Sequence, residues 1–314
     1  MSKQKGINLK CHKRLALELL WCLCYVVSVM PRWFRYYLLQ PFVAGLLKLV
    51  GYRRTVITTN LQKSFPNKSE NEIQKIRRGY YDTLAEVIVD TISLVSAKEK
   101  RQSEFLVWEN SQEVINKTKG KDWIAMAAHY GCWEYFPMWC WQDKNCNFVS
   151  VYHPLHSEVF ECFYGRLRSF SENVRQIPMG EAVRFYLKNR GVGRNLVLGL
   201  VSDQSPRLTA DSYWHSFLNQ DTIFNEGAEL LARKFQLPIY YAYIKRLARG
   251  KYSLKLIELY NGIDEVAPHE INERYVRILE KQIIDCPELW MWSHRRWKHT
   301  PEKQIRIFGE KCKK

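Results

Sequence analysis

The stretch that decides the fold is WIAMAAHYGCWE, which covers residues 123–134. Its apolar beginning, WIAMAA, has the length and composition of a buried strand, and His129 follows it directly. Gly131 permits a sharp turn after the strand, and a helix can begin near Trp133. The stretch therefore predicts a strand, a turn and a helix, with an imidazole where the strand ends.

The same stretch carries a candidate catalytic pair, His129 and Glu134. Imidazole is the side chain best suited to general-base work near neutral pH. On a continuous helix, residues five apart would point about 140° away from each other, so the pair needs the bend that Gly131 makes available. In that geometry we expect Glu134 to hold one imidazole nitrogen while the other nitrogen takes a proton.

The bare pattern H-x-x-x-x-E is weak, because His153 with Glu158 and His156 with Glu161 match it too. Those pairs lie in HPLHSEVFE, which is typical of a loop that enters a helix. His153, His156 and Glu158 also offer compact spacing for a metal site, although no further cluster of strong ligands follows them. Only His129 has an apolar strand before it and a glycine inside the pattern, so it is the stronger candidate.

Elsewhere in the chain, strand-like and helix-like segments alternate. Short apolar runs occur at residues 148–152, 196–201, 239–244 and 252–259. Helical spacing of apolar residues occurs between several of them, at 160–170 and 226–235, and a long amphipathic helix precedes them. That long helix begins at a capping box of Ser69 and Glu72 and is expected to end near Ala97. This alternation favours an α/β layered fold with a largely buried sheet flanked by helices.

Composition places the chain among ordinary folded proteins and excludes wholesale disorder. It has 314 residues, of which 46% are hydrophobic and 25% charged. The nine cysteines form no C-x-x-C pair and no metal-ligand spacing. They are therefore interpreted as reduced, buried thiols in a cytosolic environment.

The chain is strongly basic, with 48 Lys and Arg against 32 Asp and Glu and a formal charge of +16. Such an excess favours a polyanionic partner, such as nucleic acid, acidic lipid headgroups, a phosphorylated sugar or an acidic carrier protein. It argues against a cationic substrate. The sequence has no zinc spacing, no Gly-rich RNA-binding signature and no helix–turn–helix with a basic face, so nucleic acid is not the expected partner.

The N-terminal segment is apolar in two runs. The first, residues 15–30, stops at Pro31 and would span about 24 Å as a helix, less than the roughly 30 Å of a hydrocarbon core. The second, residues 36–50, contains Pro41 and Lys48. The two runs favour an uncleaved anchor followed by an interfacial segment, and a buried helical hairpin is the alternative.

Six motifs distributed along the chain resemble those of one protein family. The chain resembles, over nearly its whole length, the bacterial lipid A late acyltransferases, which are the lauroyl and myristoyl transferases of the lysophospholipid acyltransferase superfamily. The last motif below is the most specific of them. The motifs are NLQKSFP (60–66), HYGCWE (129–134), VYHPLHSEVFECFYGRLRS (151–169), SDQSP (202–206), EGAELLA (226–232) and PELWMWSHRRWKHTP (287–301).

The resemblance implies transfer of an acyl chain from acyl-acyl carrier protein, or acyl-coenzyme A, to a hydroxyl of a glucosamine-based lipid A precursor. His129 would deprotonate the hydroxyl and Glu134 would orient His129. Arg166, which matches the family's Gly-Arg-x-Arg, would stabilise the oxyanion or bind phosphate, and Asp203 would place the substrate or support the site. No metal or tightly bound cofactor is implied. The implied fold is like that of glycerol-3-phosphate acyltransferases, a mostly buried mixed sheet flanked by helices.

The sequence departs from the family pattern at one visible place. Tyr152, His153 and Pro154 stand where the family commonly has Tyr-Arg-Pro. A titratable side chain thus replaces a permanent charge, which leaves the acceptor open. The alternative acceptor is another lyso-lipid, such as an aminolipid or a glycolipid.

The resemblance also implies where the chain works. Because acyl carrier protein is cytosolic, we expect the catalytic domain on the cytoplasmic face of the bacterial inner membrane. The expected division is a membrane anchor or interfacial segment at residues 1–55 and an acyltransferase domain at residues 56–314.

Overall fold

The computed structural model describes residues 9–309, so the first eight residues of the expected anchor and the last five residues of the sequence lie outside the described residues. A π-helical turn (Arg35–Leu39) joins the second helix to the third. Short 3-10 helices lie at Leu94–Ser96, Glu99–Glu104, Trp133–Met138, Met179–Glu181 and Pro287–Leu289. The α-helices are α1 (Cys11–Val29), α2 (Arg32–Phe34), α3 (Gln40–Leu49), α4 (Arg54–Ser64), α5 (Glu70–Ser93), α6 (Ser111–Lys117), α7 (Trp139–Gln142), α8 (Glu158–Leu167), α9 (Ala182–Asn189), α10 (Gly227–Phe235), α11 (Glu270–Asp285) and α12 (Pro301–Phe308).

The centre of the fold is a seven-stranded mixed sheet. Its strands are β1 (Leu106–Trp108), β2 (Trp123–Ala127), β3 (Cys146–Tyr152), β4 (Val174–Pro178), β5 (Asn195–Val201), β8 (Ile239–Ala248) and β9 (Lys251–Tyr260), while β6 (Trp214–Phe217) and β7 (Gln220–Ile223) form a separate antiparallel hairpin. The order across the sheet is β1-β9-β8-β2-β5-β3-β4. All neighbours are parallel except β8 and β9. The predicted α/β fold with a central mixed sheet is confirmed.

Strand β2 lies in the middle of this sheet and is buried along its whole length. It pairs with β8 on one side and with β5 on the other, in a register that places Ala127 opposite Val201. Because parallel strands end at the same edge of a sheet, the residues that follow β2 and β5 must lie close together. This edge is where the chemistry-bearing residues meet.

The predicted apolar strands are all present, but four others were not predicted. Strand β1 has three residues, and β4 and the β6–β7 hairpin carry polar residues such as Arg175, Gln176, His215 and Asp221. Short or polar segments give no apolar run or alternation to detect. Their strand character is evident only from their pairing, β1 with β9, β4 with β3, and β6 with β7.

Helix α5 begins at the predicted capping box. The Ser69 side chain accepts a hydrogen bond from the Glu72 backbone, and the Glu72 carboxylate accepts one from the Ser69 backbone at 2.8 Å. The α-helix ends at Ser93, a few residues earlier than expected, and continues as a 3-10 turn. Both ends of the predicted element are therefore close to those observed.

The inner face of α5 fastens the N-terminal helices to the sheet through a buried carboxyl group, Asp90. The Tyr36 hydroxyl donates to it at 2.6 Å and the Tyr252 hydroxyl at 2.9 Å. Burial, followed by the charge of Glu86, raises the pKa of Asp90 to about 7. Tyr36 belongs to the π turn and Tyr252 to β9, so one side chain joins three parts of the fold.

The N-terminal helices form a bent pair. Helix α1 and the segment Arg32–Leu49 meet at 112°. No single helix in residues 9–309 is long and apolar enough to cross a membrane. Taken together, the two bent segments have the length and composition of a membrane-crossing segment. Helix α1 packs against α5 and α8. The expected boundary between the anchor segment (1–55) and the acyltransferase domain (56–314) falls in the first turn of α4. This boundary stays a prediction.

The cysteines that the structure describes are free thiols. Cys162 and Cys286 are half-buried, and the prediction that all are buried is wrong outright for Cys11 and Cys22, which are exposed on α1. Their helix presents one side to the protein and the other to the outside, and these two lie on the outer side.

The turn after β2 depends on Gly131. Its φ is +55°, in the left-handed region, and a Cβ built there would lie 2.9 Å from the Tyr252 ring. Its backbone N–H donates to the Leu289 carbonyl at 2.9 Å. The predicted sharp turn at this glycine is present, and both conformation and space favour glycine.

We expect Gly131→Ala to lower the free energy of unfolding by more than Gly120→Ala. Gly120 also has a positive φ, +73°, but nothing lies within 4 Å of its built Cβ, so its substitution costs backbone strain alone, about 1 kcal/mol. Gly131→Ala adds overpacking against Tyr252, about 1–3 kcal/mol more. Denaturant unfolding of the two variants in the same detergent measures the difference, and equal losses would contradict the steric argument.

Candidate active site

The ends of β2 and β5 bring His129 and Asp203 together. Each residue lies two positions beyond its strand, and the Ser202 backbone continues the pairing by donating to the Ala127 carbonyl at 2.9 Å. The His129 Nδ1 lies 2.7 Å from Asp203 Oδ1, and the His129 backbone N–H donates to the same oxygen at 3.0 Å. A buried carboxylate thus holds both the ring and the backbone of the histidine.

The second oxygen of Asp203 is also bonded, since Trp290 Nε1 donates to it at 2.7 Å. Burial acts to raise the pKa of Asp203, but the charge of His129 and the hydrogen bonds from His129 and Trp290 outweigh it and hold that pKa below its ordinary value. Asp203 is therefore ionised at neutral pH. An ionised carboxylate only accepts hydrogen bonds, so the facing Nδ1 of His129 carries a proton.

In the neutral form of this imidazole, the lone pair therefore lies on the remaining nitrogen, Nε2. The imidazole side chain is 16% exposed and lines a cleft, with the Trp133 ring packed against it at 4.8 Å between centroids. The Gln204 amide nitrogen lies 3.2 Å from Nε2. The arrangement gives one basic nitrogen, fixed in direction, at the wall of the cleft.

Glu134 does not hold the imidazole, so that expectation from the sequence is corrected. The 3-10 helix Trp133–Met138 directs its carboxylate towards the end of α8, where Arg168 donates to both oxygens, at 2.8 Å and 2.5 Å. The Nδ1 of His129 is taken by Asp203, which the neighbouring parallel strand supplies. The parallel pairing of β2 with β5 thus places a different carboxylate beside the histidine than the five-residue spacing suggested.

Arg166 also lies elsewhere than expected. Its guanidinium pairs with Glu18 of α1 at 2.9 Å and stacks over the Trp21 ring at 4.0 Å, and it does not line the cleft. Residues two apart on a helix point in directions about 160° apart. In the Gly-Arg-x-Arg motif, the first arginine therefore faces α1, and the second, Arg168, faces the cleft.

The cleft has a volume of about 1470 Å³. This exceeds the roughly 300–1,000 Å³ of sites for drug-sized ligands, so the cleft accommodates a larger molecule. Its apolar floor is formed by Phe136, Phe148 and Val201. Gly199 leaves room for the Phe148 ring, because a Cβ built on this glycine would lie 2.5 Å from that ring. His129 and Arg168 lie on its wall. Basic nitrogen, guanidinium and apolar floor together suit acyl-group chemistry on a lipid.

Of the residues weighed for a metal site, the two histidines lie along this cleft, whereas Glu158 pairs with Lys13 at 2.8 Å. The histidines are His153 and His156, and the His153 Nδ1 contacts the Pro154 carbonyl at 3.0 Å. Within the described chain, no group of three His, Cys, Asp or Glu side chains is arranged to hold a metal ion. The two histidines are polar lining of the cleft.

The sequence did not identify three residues of this arrangement in their observed roles, namely Arg168, Gln204 and Trp290. Asp203 was a candidate, as a residue that places the substrate or supports the site, and not as the partner of His129. The sequence does contain one indication of the contact between Asp203 and His129, because SDQSP and HYGCWE each follow an apolar strand directly. Assigning β2 and β5 as neighbours would have brought the two motifs together.

The chain was also compared with families of known proteins and with solved structures. The family described as "Bacterial lipid A biosynthesis acyltransferase" matches residues 5–299. Among solved structures, the chain is similar to the 1-acyl-sn-glycerophosphate (LPA) acyltransferase PlsC from Thermotoga maritima, with 13% identity and a TM-score of 0.36 over 87% of this chain and 96% of that chain. A search of curated proteins gave no significant match.

We expect Asp203→Asn to lower kcat by about 10²–10⁴-fold, because the amide can no longer fix the Nδ1–H form of His129 as a carboxylate does. Glu134→Gln is the matched control, since it changes another buried carboxylate to an amide without touching the imidazole. It should lower kcat less. Steady-state turnover with thermal unfolding of both variants makes the comparison, and a larger loss in Glu134→Gln at equal stability would contradict the assignment of Asp203.

Proposed function

Because the chain belongs to the bacterial lipid A biosynthesis acyltransferase family, whose match covers residues 5–299, and is an acyltransferase that acts on lipid, we propose a specific reaction. It is the transfer of a fatty acyl chain from acyl-acyl carrier protein, or acyl-coenzyme A, to a hydroxyl of a lipid A precursor. The observation that carries the proposal is the His129–Asp203 pair at the wall of a large cleft with an apolar floor. Another lyso-lipid acceptor, an aminolipid or glycolipid, remains the alternative.

The proposed chemistry begins at His129 Nε2. This nitrogen removes the proton of the acceptor hydroxyl as its oxygen attacks the thioester carbonyl, and the ionised Asp203 stabilises the imidazolium that forms. When the tetrahedral intermediate collapses, the C–S bond breaks and the imidazolium returns the proton to the thiolate. An ester and a free thiol result, and His129 regains its starting form.

The oxyanion of that intermediate needs a positive group, and we assign it to Arg168. Glu134 binds one edge of the Arg168 guanidinium with both carboxylate oxygens. This leaves the other N–H groups of a planar, permanently charged fork on the cleft side. In the proposed mechanism Glu134 acts by positioning Arg168, and Arg166 has no role in the reaction.

Membrane attachment is proposed through the outer faces of the N-terminal helices. Leu15, Leu19 and Leu23 form a stripe on α1, and each is more than 60% exposed. Trp33, Tyr37, Phe42 and Leu46 are exposed on the next segment. An apolar surface of this extent marks a membrane or protein contact. The proposed location is the cytoplasmic face of the inner membrane, where the carrier protein is present.

The first test is mass spectrometry of lipids from cells that carry the chain, its His129→Ala variant or neither. We expect one lipid A precursor to gain the mass of one acyl chain only with the unchanged protein, since loss of the base lowers turnover by about 10²–10⁴-fold or more. The His129→Ala protein should still be found in the membrane fraction. If the gain appears instead on an aminolipid or glycolipid, the lipid A assignment is wrong and the alternative acceptor is correct.

A second test concerns the donor. The carrier is acidic and the chain has a charge of +16, so electrostatic steering should raise their rate of association. We expect the KM for acyl-acyl carrier protein to rise about tenfold between low salt and about 0.5 M salt. The KM for an uncharged acyl-pantetheine serves as control and should change little. A salt-independent KM for the carrier-bound donor would show that charge does not guide docking.

A further inference from the structure

One wall of the cleft is basic. Arg207, Lys298 and Lys303 all line the cavity that contains His129, and they are called the basic wall here. None of the three forms an ion pair with a carboxylate within residues 9–309. Three cations that share a cavity repel one another, and they are stabilised when an anion lies between them.

The carboxylates of the cleft are mostly engaged elsewhere. Glu134 is bound by Arg168, Glu226 contacts the His269 ring at 2.6 Å, and Glu161 accepts from the Tyr152 hydroxyl at 2.6 Å. Asp211 is the further acidic side chain on the lining. The basic wall therefore has a surplus of positive charge that the surrounding protein does not neutralise.

The basic wall is built by two segments that pack firmly together. The Gln304 side chain of α12 donates to the carbonyls of Thr209 and Ala210, at 2.9 Å each, and so joins α12 to the loop that carries Arg207. The Lys303 ammonium donates to the Lys298 carbonyl at 3.4 Å. The fold thus fixes, side by side, the two segments that carry the basic wall.

Two buried polar atoms lie in the same wall without a hydrogen-bond partner in the described chain. They are Ser205 Oγ and His299 Nδ1, both on residues that line the cleft. Buried polar atoms are nearly always hydrogen-bonded. Desolvation, followed by the charges of Lys298 and Lys303, lowers the pKa of His299, which agrees with close approach of these cations. The wall therefore combines unneutralised charge with unused hydrogen-bonding atoms.

We propose that the basic wall is a phosphate subsite, in which Arg207, Lys298 and Lys303 bind a phosphate group of a substrate while its reacting atoms lie at His129. The proposal rests on the proposed function for its place in the reaction. A guanidinium fork and two ammonium groups match the several oxygens of a phosphate. That phosphate belongs either to the acceptor lipid or to the phosphopantetheine arm of the donor.

Kinetics with a charge-matched control identify the source. Lys298→Gln/Lys303→Gln is compared with Lys245→Gln/Lys255→Gln, which removes two exposed lysines of the β8–β9 hairpin that do not line the cleft. If the acceptor supplies the phosphate, the first variant raises KM about tenfold or more for a phosphorylated diglucosamine lipid and leaves it unchanged for the phosphatase-treated lipid. If the donor supplies it, KM rises for the carrier-bound donor and not for acyl-pantetheine, which has no phosphate. Equal effects of the two double variants overturn the proposal.

A second measurement does not depend on the reaction. Lysine acetylation of the unchanged protein is followed by mass spectrometry with and without inorganic phosphate. Protection of Lys298 and Lys303, but not of Lys245 and Lys255, supports the subsite even if diglucosamine lipids prove not to be acceptors. Equal protection of all four lysines, or none, overturns the subsite and leaves the proposed acyl transfer standing.

Discussion

The parallel pairing of β2 with β5 is the constraint on which the site depends. The register that sets Ala127 opposite Val201 delivers His129 and Asp203 to one edge of the sheet, although 74 residues separate them along the chain. The C-terminal segment then covers this edge. The Met291 backbone donates to the His129 carbonyl at 3.1 Å, and Trp290 donates to Asp203. Distant segments are therefore needed to fix one imidazole.

The site contains two buried carboxylates, and each has a separate partner. Asp203 serves the imidazole, and Glu134 serves Arg168. Removing one member of a buried ion pair leaves the other charge uncompensated, at a cost of about 3–5 kcal/mol. A direct contact between Glu134 and His129 would leave Arg168 unpaired in this way. The observed division therefore gives each of these two buried carboxylates its own partner, and it separates the group that tunes the base from the group that positions a cation.

The sequence predicted what depends on local spacing and failed where long-range order decides. The strand, the turn at Gly131 and the capping box at Ser69 follow from residues a few positions apart, and the structure has them. The contact with Asp203 requires β5 to insert between β2 and β3, an order that no local pattern encodes. Similarly, the choice between Arg166 and Arg168 depends on which side of α8 faces α1, and that docking is a tertiary property.

The position of α8 links the outer surface of the protein to its chemistry. Helix α8 is joined to α1 by Lys13 with Glu158 and by Glu18 with Arg166, and its other side supplies Arg168 to the cleft. The exposed apolar stripe of α1 therefore lies one helix away from the cleft wall. With α1 at a membrane surface, as proposed, a lipid would cross only the width of α8 to bring a hydroxyl to His129. The two-residue spacing of Arg166 and Arg168 lets the first arginine dock α1 and the second face the cleft.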